Sequence, residues 1–141
     1  MYGYGSYGTN LDPEFDVYRT VLMDLGIIYC VANIRGGSEK GRSWYEDSGK
    51  YLKKKNTFYD FIDCIDYLNI NYTEPSKLGI IGRSAGGLPV GAIVSRFPNG
   101  SLVGAAFTEV PYVDVLRTSS NPDLPLTKGE YEEFGNPLKK L

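Results

Sequence analysis

Hydrophobic positions along the chain alternate between helical spacing and short continuous runs. Phe15, Tyr18, Leu22 and Leu25 recur every three or four residues, which predicts a helix. Asp12-Pro13 offers a start for it, with Asp as N-cap and Pro in the first turn, and Gly26 a stop. Residues 27–34 are a nearly continuous apolar, β-branched run, the pattern of a strand buried on both faces of a parallel sheet. Residues 35–56 read as a long polar loop holding Gly36, Gly37, Gly41 and Gly49. Thr57-Phe58-Tyr59-Asp60 reads as a capping box that opens a second helix, whose Phe58, Phe61, Ile62, Ile65 and Leu68 share one face. A short strand over 78–81 runs through Gly82-Arg83-Ser84-Ala85-Gly86 into a third helix ending near Phe97. Pro98-Asn99-Gly100 then turns the chain into a strand over 102–108. Beyond Pro111 the pattern is loop-like, with one more short helix predicted around Thr127–Phe134, and residues 2–7 read as the end of a fourth strand.

This alternation predicts an α/β fold, a parallel sheet with flanking helices joined by right-handed crossovers. No repeat, low-complexity stretch or linker interrupts it, so residues 1–141 read as one folding unit. Three internal strands and part of a fourth make a thin sheet, and the expectation is a domain truncated at both ends. Hydrophobic residues make up 42% of the chain and charged residues 23%, a balance that argues against disorder. A net charge of −2 lacks the basic footprint of a nucleic-acid binder. No apolar run reaches the roughly 18 residues of a membrane span, and the first residues do not read as a signal peptide. Cys30 and Cys64 are too few for a zinc knuckle or a disulfide framework and suit a reducing, cytoplasmic compartment. The sequence contains no histidine. That excludes a self-contained Ser-His-Asp or Cys-His machine and any His-ligated metal, and neither metal nor cofactor is expected.

Gly82-x-Ser84-x-Gly86 between a buried strand and an amphipathic helix carries the sharpest chemical signal. A nucleophile elbow lifts its Ser Oγ above the sheet on a strained turn, at a helix N-terminus whose amides can hold an oxyanion. Gly3-x-Gly5-x-x-Gly8 matches a dinucleotide fingerprint literally, but no useful strand precedes it and the next helix begins too late. The acids read first as capping groups: Asp12 and Glu14 at a helix start, Thr127 to Glu130 as a capping box, Glu132 and Glu133 as acids of the same first turn. Lys53-Lys54-Lys55 reads as a solvated lead-in to the second helix. Trp44 and Tyr45 suit either a pocket lining or a loop anchor.

Several ordered segments share a family likeness. They are Tyr2-Gly3-Tyr4-Gly5-Ser6-Tyr7-Gly8, Ile34-Arg35-Gly36-Gly37-Ser38-Glu39, Gly41-Arg42-Ser43-Trp44-Tyr45-Glu46, Lys54-Lys55-Asn56-Thr57-Phe58, Gly82-Arg83-Ser84-Ala85-Gly86-Gly87, Val110-Pro111-Tyr112-Val113-Asp114-Val115 and Glu130-Tyr131-Glu132-Glu133-Phe134-Gly135-Asn136-Pro137. Together they resemble the trypsin-like branch of the prolyl oligopeptidase family of serine peptidases. The resemblance implies a partial α/β-hydrolase fold and a serine peptidase cleaving short peptides after Arg or Lys. It places Ser84 on the nucleophile and Tyr4 on the oxyanion-hole hydroxyl, beside the Ala85 N–H. It puts Glu130 and Glu132 on the acids that hold a basic P1 side chain, and Asp12 and Glu14 on a second pair favouring a basic P2 residue. A guanidinium in a desolvated pocket needs such paired carboxylates. The partners implied are short basic peptides and the remainder of the peptidase.

Two departures qualify this picture. The family's triad Asp and His lie downstream of the Gly-Asn-Pro segment, so the 141 residues alone are expected to be inactive. Pro89 falls in the first turns after Ser84, where it removes a bond to the Ala85 carbonyl and threatens a cost of about 3 kcal/mol. The alternative to a peptidase fragment is a non-catalytic module that binds basic peptides through the same four acids.

Overall fold

The computed structural model describes residues 1–139. Strand β1 (Tyr2–Gly3) lies inside a four-stranded parallel sheet, between β2 (Val31–Ala32) and β3 (Gly79–Arg83), with β4 (Ala105–Glu109) beyond β3. Helix α1 (Val17–Asp24) joins β1 to β2, and α2 (Ser43–Glu46) and α3 (Lys55–Asn71) lie between β2 and β3. Helix α4 (Gly87–Arg96) joins β3 to β4, while α5 (Val115–Ser119) and α6 (Thr127–Phe134) follow β4. Tyr2 stands level with both Val31 and Ile81, and five pairs from Gly79↔Ala105 to Arg83↔Glu109 zip β3 to β4. The turns after β1, β3 and β4 therefore leave the sheet at one end, the end where open parallel sheets bind ligands.

One face of the sheet is closed by α3 and α4. Phe61 and Ile65 of α3 and Val90 and Ile93 of α4 are buried with Ile34 and Ile80. The helical stripe predicted on α3 is the one that packs inward. The opposite face is open: Leu22, Ile27, Ile28, Ile81 and Phe107 line a concavity of about 730 Å³.

Several sequence expectations change for identifiable reasons. Helix α1 starts at Val17, not at Pro13, because Asp16 Oδ1 accepts from the amides of Tyr18 (2.7 Å) and Arg19 (3.2 Å) and takes the cap. Asp12 thus caps no helix. The run over 27–34 forms only two residues of ladder, and Ile28 is 70% exposed. Its strand is an edge of the sheet, so its apolar side chains are not covered on both faces. Thr57 and Asp60 form no capping box. Thr57 Oγ1 donates to the Arg35 carbonyl (2.6 Å), and Asp60 takes the Arg35 amide and guanidinium at 2.6–2.9 Å. These bonds pin the loop after β2 to α3, which begins two residues before Thr57. Helix α5 was not expected from the pattern. The final helix falls on Thr127–Phe134 as predicted, although Leu126, in a left-handed conformation, occupies its N-cap and Thr127 is buried.

Pro89 is accommodated by the same logic. A 3₁₀ turn over Ser84–Gly86 precedes α4, so Pro89 is the third residue of a newly started helix. Proline is tolerated in the first turn of a helix far better than in its interior, and Pro89 is buried there without a break in α4.

Phe61 is the hinge of this packing, since a Cβ on Gly3 would stand 2.6 Å from its ring. Phe61→Ala is expected to lower the unfolding free energy by about 3–5 kcal/mol, read from urea denaturation.

Candidate active site

Ser84 follows β3 directly, with φ = +53°, and is exposed. A left-handed conformation in a non-glycine residue stores about 1–3 kcal/mol of strain and persists only where its surroundings enforce it. Here the enforcement is steric. A Cβ on Gly82 would lie 2.0 Å from the Gly86 carbonyl oxygen, and one on Gly86 would lie 2.8 Å from the Gly3 carbonyl oxygen. Only glycine at both positions lets strand, turn and β1 approach this closely. From the other side the Tyr112 amide donates to the Ser84 carbonyl at 2.9 Å. The serine hydroxyl is thus carried outward on a bend fixed by its neighbours.

Tyr4 and Ala85 flank that bend. Tyr4 follows β1, and its Cα lies 3.1 Å from the position a Cβ on Gly86 would take. Its hydroxyl is held above the ordinary phenol range, chiefly by burial and then by Tyr2 and the carboxylates of Glu133 and Glu130. It therefore keeps its proton, and stays a donor, at neutral pH. Ala85 is buried in the 3₁₀ turn, whose first amides have no carbonyl one turn earlier to pair with.

The expected P1 acids sit on α6, and each already has a protein partner. Glu130 Oε2 accepts from the Tyr7 hydroxyl at 2.6 Å, and Glu132 Oε1 lies 2.6 Å from Lys50 Nζ. Lys50 holds the Glu132 carboxyl below the ordinary range. An aromatic chain connects this helix to the serine: Tyr4 to Tyr7 (6.2 Å between ring centroids), Tyr7 edge-on to Phe134 (6.2 Å), and Phe134 to Tyr112 (5.3 Å). Asp12 and Glu14 are exposed in a separate depression of about 160 Å³, shared with Tyr2, Arg19 and Val31. Glu39 Oε1 supports that loop by accepting from the Leu11 amide at 2.9 Å. The two acidic pairs are not brought together. Of the glycines of the dinucleotide-like segment, Gly3 ends β1, and Gly5 and Gly8 lie in the turn after it at φ = +68° and +66°.

Lys54 and Glu133 depart from what the pattern predicts: Glu133 lies in the last turn of α6, not in its first. Neither is solvated: the side chains are 9% and 1% exposed, and Lys54 Nζ meets Glu133 Oε1 at 2.5 Å. Lys54 also donates to the Gly5 carbonyl (2.6 Å) and Ser6 Oγ (2.7 Å), and Glu133 Oε2 accepts from the Tyr7 amide (3.1 Å). Burial draws the Lys54 pKa below the ordinary lysine value, and Glu133 opposes that pull. The available signal was Lys54's place in an ordered segment of the family likeness, not its place in a run of three lysines.

Five of the non-glycine residues with positive φ surround this region: Tyr7, Tyr51, Ser84, Val110 and Leu126. Each lies in a turn that enters or leaves an element of the site, or packs against one, as Tyr51 does on Gly135. Strain concentrated in this way is a property of functional sites.

Comparison with known proteins gives a consistent result. Residues 13–141 match the sequence profile of the Prolyl oligopeptidase family. Protease 2 of Moraxella lacunata is 49% identical over 141 residues, covering 99% of this chain and 20% of that protein. Dipeptidyl aminopeptidase BI of Pseudoxanthomonas mexicana is 47% identical, covering 99% and 19%. Among solved structures, oligopeptidase B from Trypanosoma brucei with covalently bound antipain superposes with a TM-score of 0.93 at 50% identity, covering 98% of this chain and 19% of that one. Oligopeptidase B from Leishmania major gives 0.91 at 51% identity, covering 96% and 19%. The chain spans about a fifth of the length of these relatives.

Three outcomes follow from the charges and hydroxyls of the site. Tyr4, Tyr7 and Tyr45 are held above the ordinary phenol value, first by burial. The unfolded chain therefore releases these protons first, and stability is expected to fall as pH rises past about 10; unfolding midpoints measured across pH 8–11 check this. Lys54→Met strands a buried carboxylate and is expected to cost about 3–5 kcal/mol by denaturant titration. Lys50→Met, at a pair whose carboxylate is exposed, is expected to move the midpoint little.

Proposed function

The chain belongs to the prolyl oligopeptidase family of serine peptidases, and from that premise we propose that Ser84 is the nucleophile of an oligopeptidase that cleaves after Arg or Lys. The observation that carries this reading is the exposed, left-handed Ser84 between glycines that no other residue can replace. Likeness to two oligopeptidase B structures at 50% and 51% identity supports the branch. In this reading residues 1–141 are one partial α/β-hydrolase domain.

Ser84 Oγ attacks the scissile carbonyl and the developing oxyanion falls between the Tyr4 hydroxyl and the Ala85 amide. Both donors are fixed before the reaction, so little reorganisation is needed as charge develops. Glu130 and Glu132 receive the cationic P1 side chain, Glu132 by exchanging Lys50 for the substrate cation. Asp12 and Glu14, in their own depression, receive a basic P2 residue. The two free cysteines suit a reducing, cytoplasmic setting. Proton transfer from Ser84 needs a base, and the 141 residues contain no histidine. Without one, the hydroxyl keeps the high pKa of an alcohol and is a poor nucleophile at neutral pH.

The 141-residue chain is therefore expected to leave an Arg-ended amide reporter essentially intact. Placed in Protease 2 of Moraxella lacunata in exchange for the matching segment, it is expected to support cleavage after Arg. Ser84→Ala in that chimaera should cut kcat by about a thousandfold or more. Ser84-dependent turnover by the isolated chain refutes its inactivity, and a chimaera indifferent to Ser84→Ala refutes the nucleophile.

A further inference from the structure

The buried pair of Lys54 and Glu133 has no part in the chemistry just described, yet it touches both the turn that carries Tyr4 and the helix that carries Glu130 and Glu132. Lys54 enters at the start of α3 and Glu133 from α6, 79 residues apart in sequence. Between them lies the turn after β1: its Gly5 carbonyl and Ser6 hydroxyl take the ammonium protons, and its Tyr7 amide donates to the carboxylate. Ser6 is fully buried. The Lys54 ammonium also stands 5.4 Å from the centre of the Phe134 ring, against which Tyr7 packs edge-on.

Stability alone is a poor reason for such a pair. Desolvating two charges consumes most of their attraction, and apolar residues of similar volume commonly do as well or better. What an apolar pair cannot supply is direction. Here the bonds aim at one turn, which bears Tyr4 on one side and Tyr7, the partner of Glu130, on the other. Tyr7 has φ = +57°, a conformation unfavourable for tyrosine unless held.

We propose that Lys54 is a positioning residue: its ammonium, anchored by Glu133, clamps the Tyr4–Tyr7 turn to α6 and so fixes Glu130 relative to the oxyanion donor. The role in binding rests on the reading of Tyr4 and Glu130 given above, whereas the clamp itself is a claim about the position of the turn.

The test compares the 141-residue chain with Lys54→Met/Glu133→Gln, which removes both charges while keeping side-chain size and an acceptor for the Tyr7 amide. The expected result is a cooperatively folding variant that loses the Tyr7–Phe134 ring contacts in NMR spectra. Its affinity for an Arg-containing hexapeptide, measured calorimetrically, should fall about tenfold or more, as misplacement of a positioned group does. A variant that folds cooperatively and keeps both the ring contacts and the affinity overturns the proposal, leaving the pair a structural element only. If the parent binds no hexapeptide, the specificity reading fails, and the ring contacts still decide the clamp. If the double variant does not fold, Ser6→Ala decides instead, because it removes one loop-side partner and leaves the ion pair in place. Weakened ring contacts in that variant support the clamp, and unchanged ones overturn it.

Discussion

The site rests on a steric constraint at the end of β3. There the strand, the turn that follows it and the neighbouring strand β1 approach so closely that a methyl group on Gly82 would overlap the Gly86 carbonyl oxygen. That crowding leaves the residue between them little choice but a left-handed bend, which turns Ser84 away from the sheet. Strain of this size is tolerable because it is paid for by packing elsewhere: Phe61, Ile80 and Val90 are buried directly beneath the bend's flanking elements.

Electrostatics organises the rest of the pocket by burial. Neighbouring carboxylates on one helix have different fates. Glu132 is exposed and pairs with the half-buried Lys50, Glu130 is half-buried and takes a phenol, and Glu133 is fully buried and takes an ammonium. A buried charge must be matched at once, whereas an exposed one can exchange partners with solvent or a substrate cation. The helix that carries the two reachable acids is therefore held by a third that solvent cannot reach.

Aromatic packing links these two parts. Tyr112 bonds the Ser84 carbonyl through its amide and lays its ring on Phe134, and Phe134 in turn receives the edge of Tyr7. The serine and the acids thus share one contiguous set of rigid contacts across three turns that enter the site from β1, β3 and β4.

Much of this was legible in the residues. Short-range sterics and hydrogen bonding favour particular local conformations, so the alternation of strands with the longer helices, the stripe on α3, the Asn99-Gly100 turn, the elbow around Ser84 and the helix over Thr127–Phe134 could be read from spacing, whereas the short helices α2 and α5 could not. What spacing could not supply was the partner of each charge. Asp60 looked like a cap and binds Arg35, and Lys54 looked solvated and lies buried against Glu133. Asp16 displaced Asp12 as a cap. The apolar run before Ala32 looked covered on both sides and is not, because cover depends on which strand lies alongside. Local geometry is set by atoms a few bonds apart and is written in the sequence. Burial, and with it the cost of an unpaired charge, is set by segments that meet only when the chain has folded.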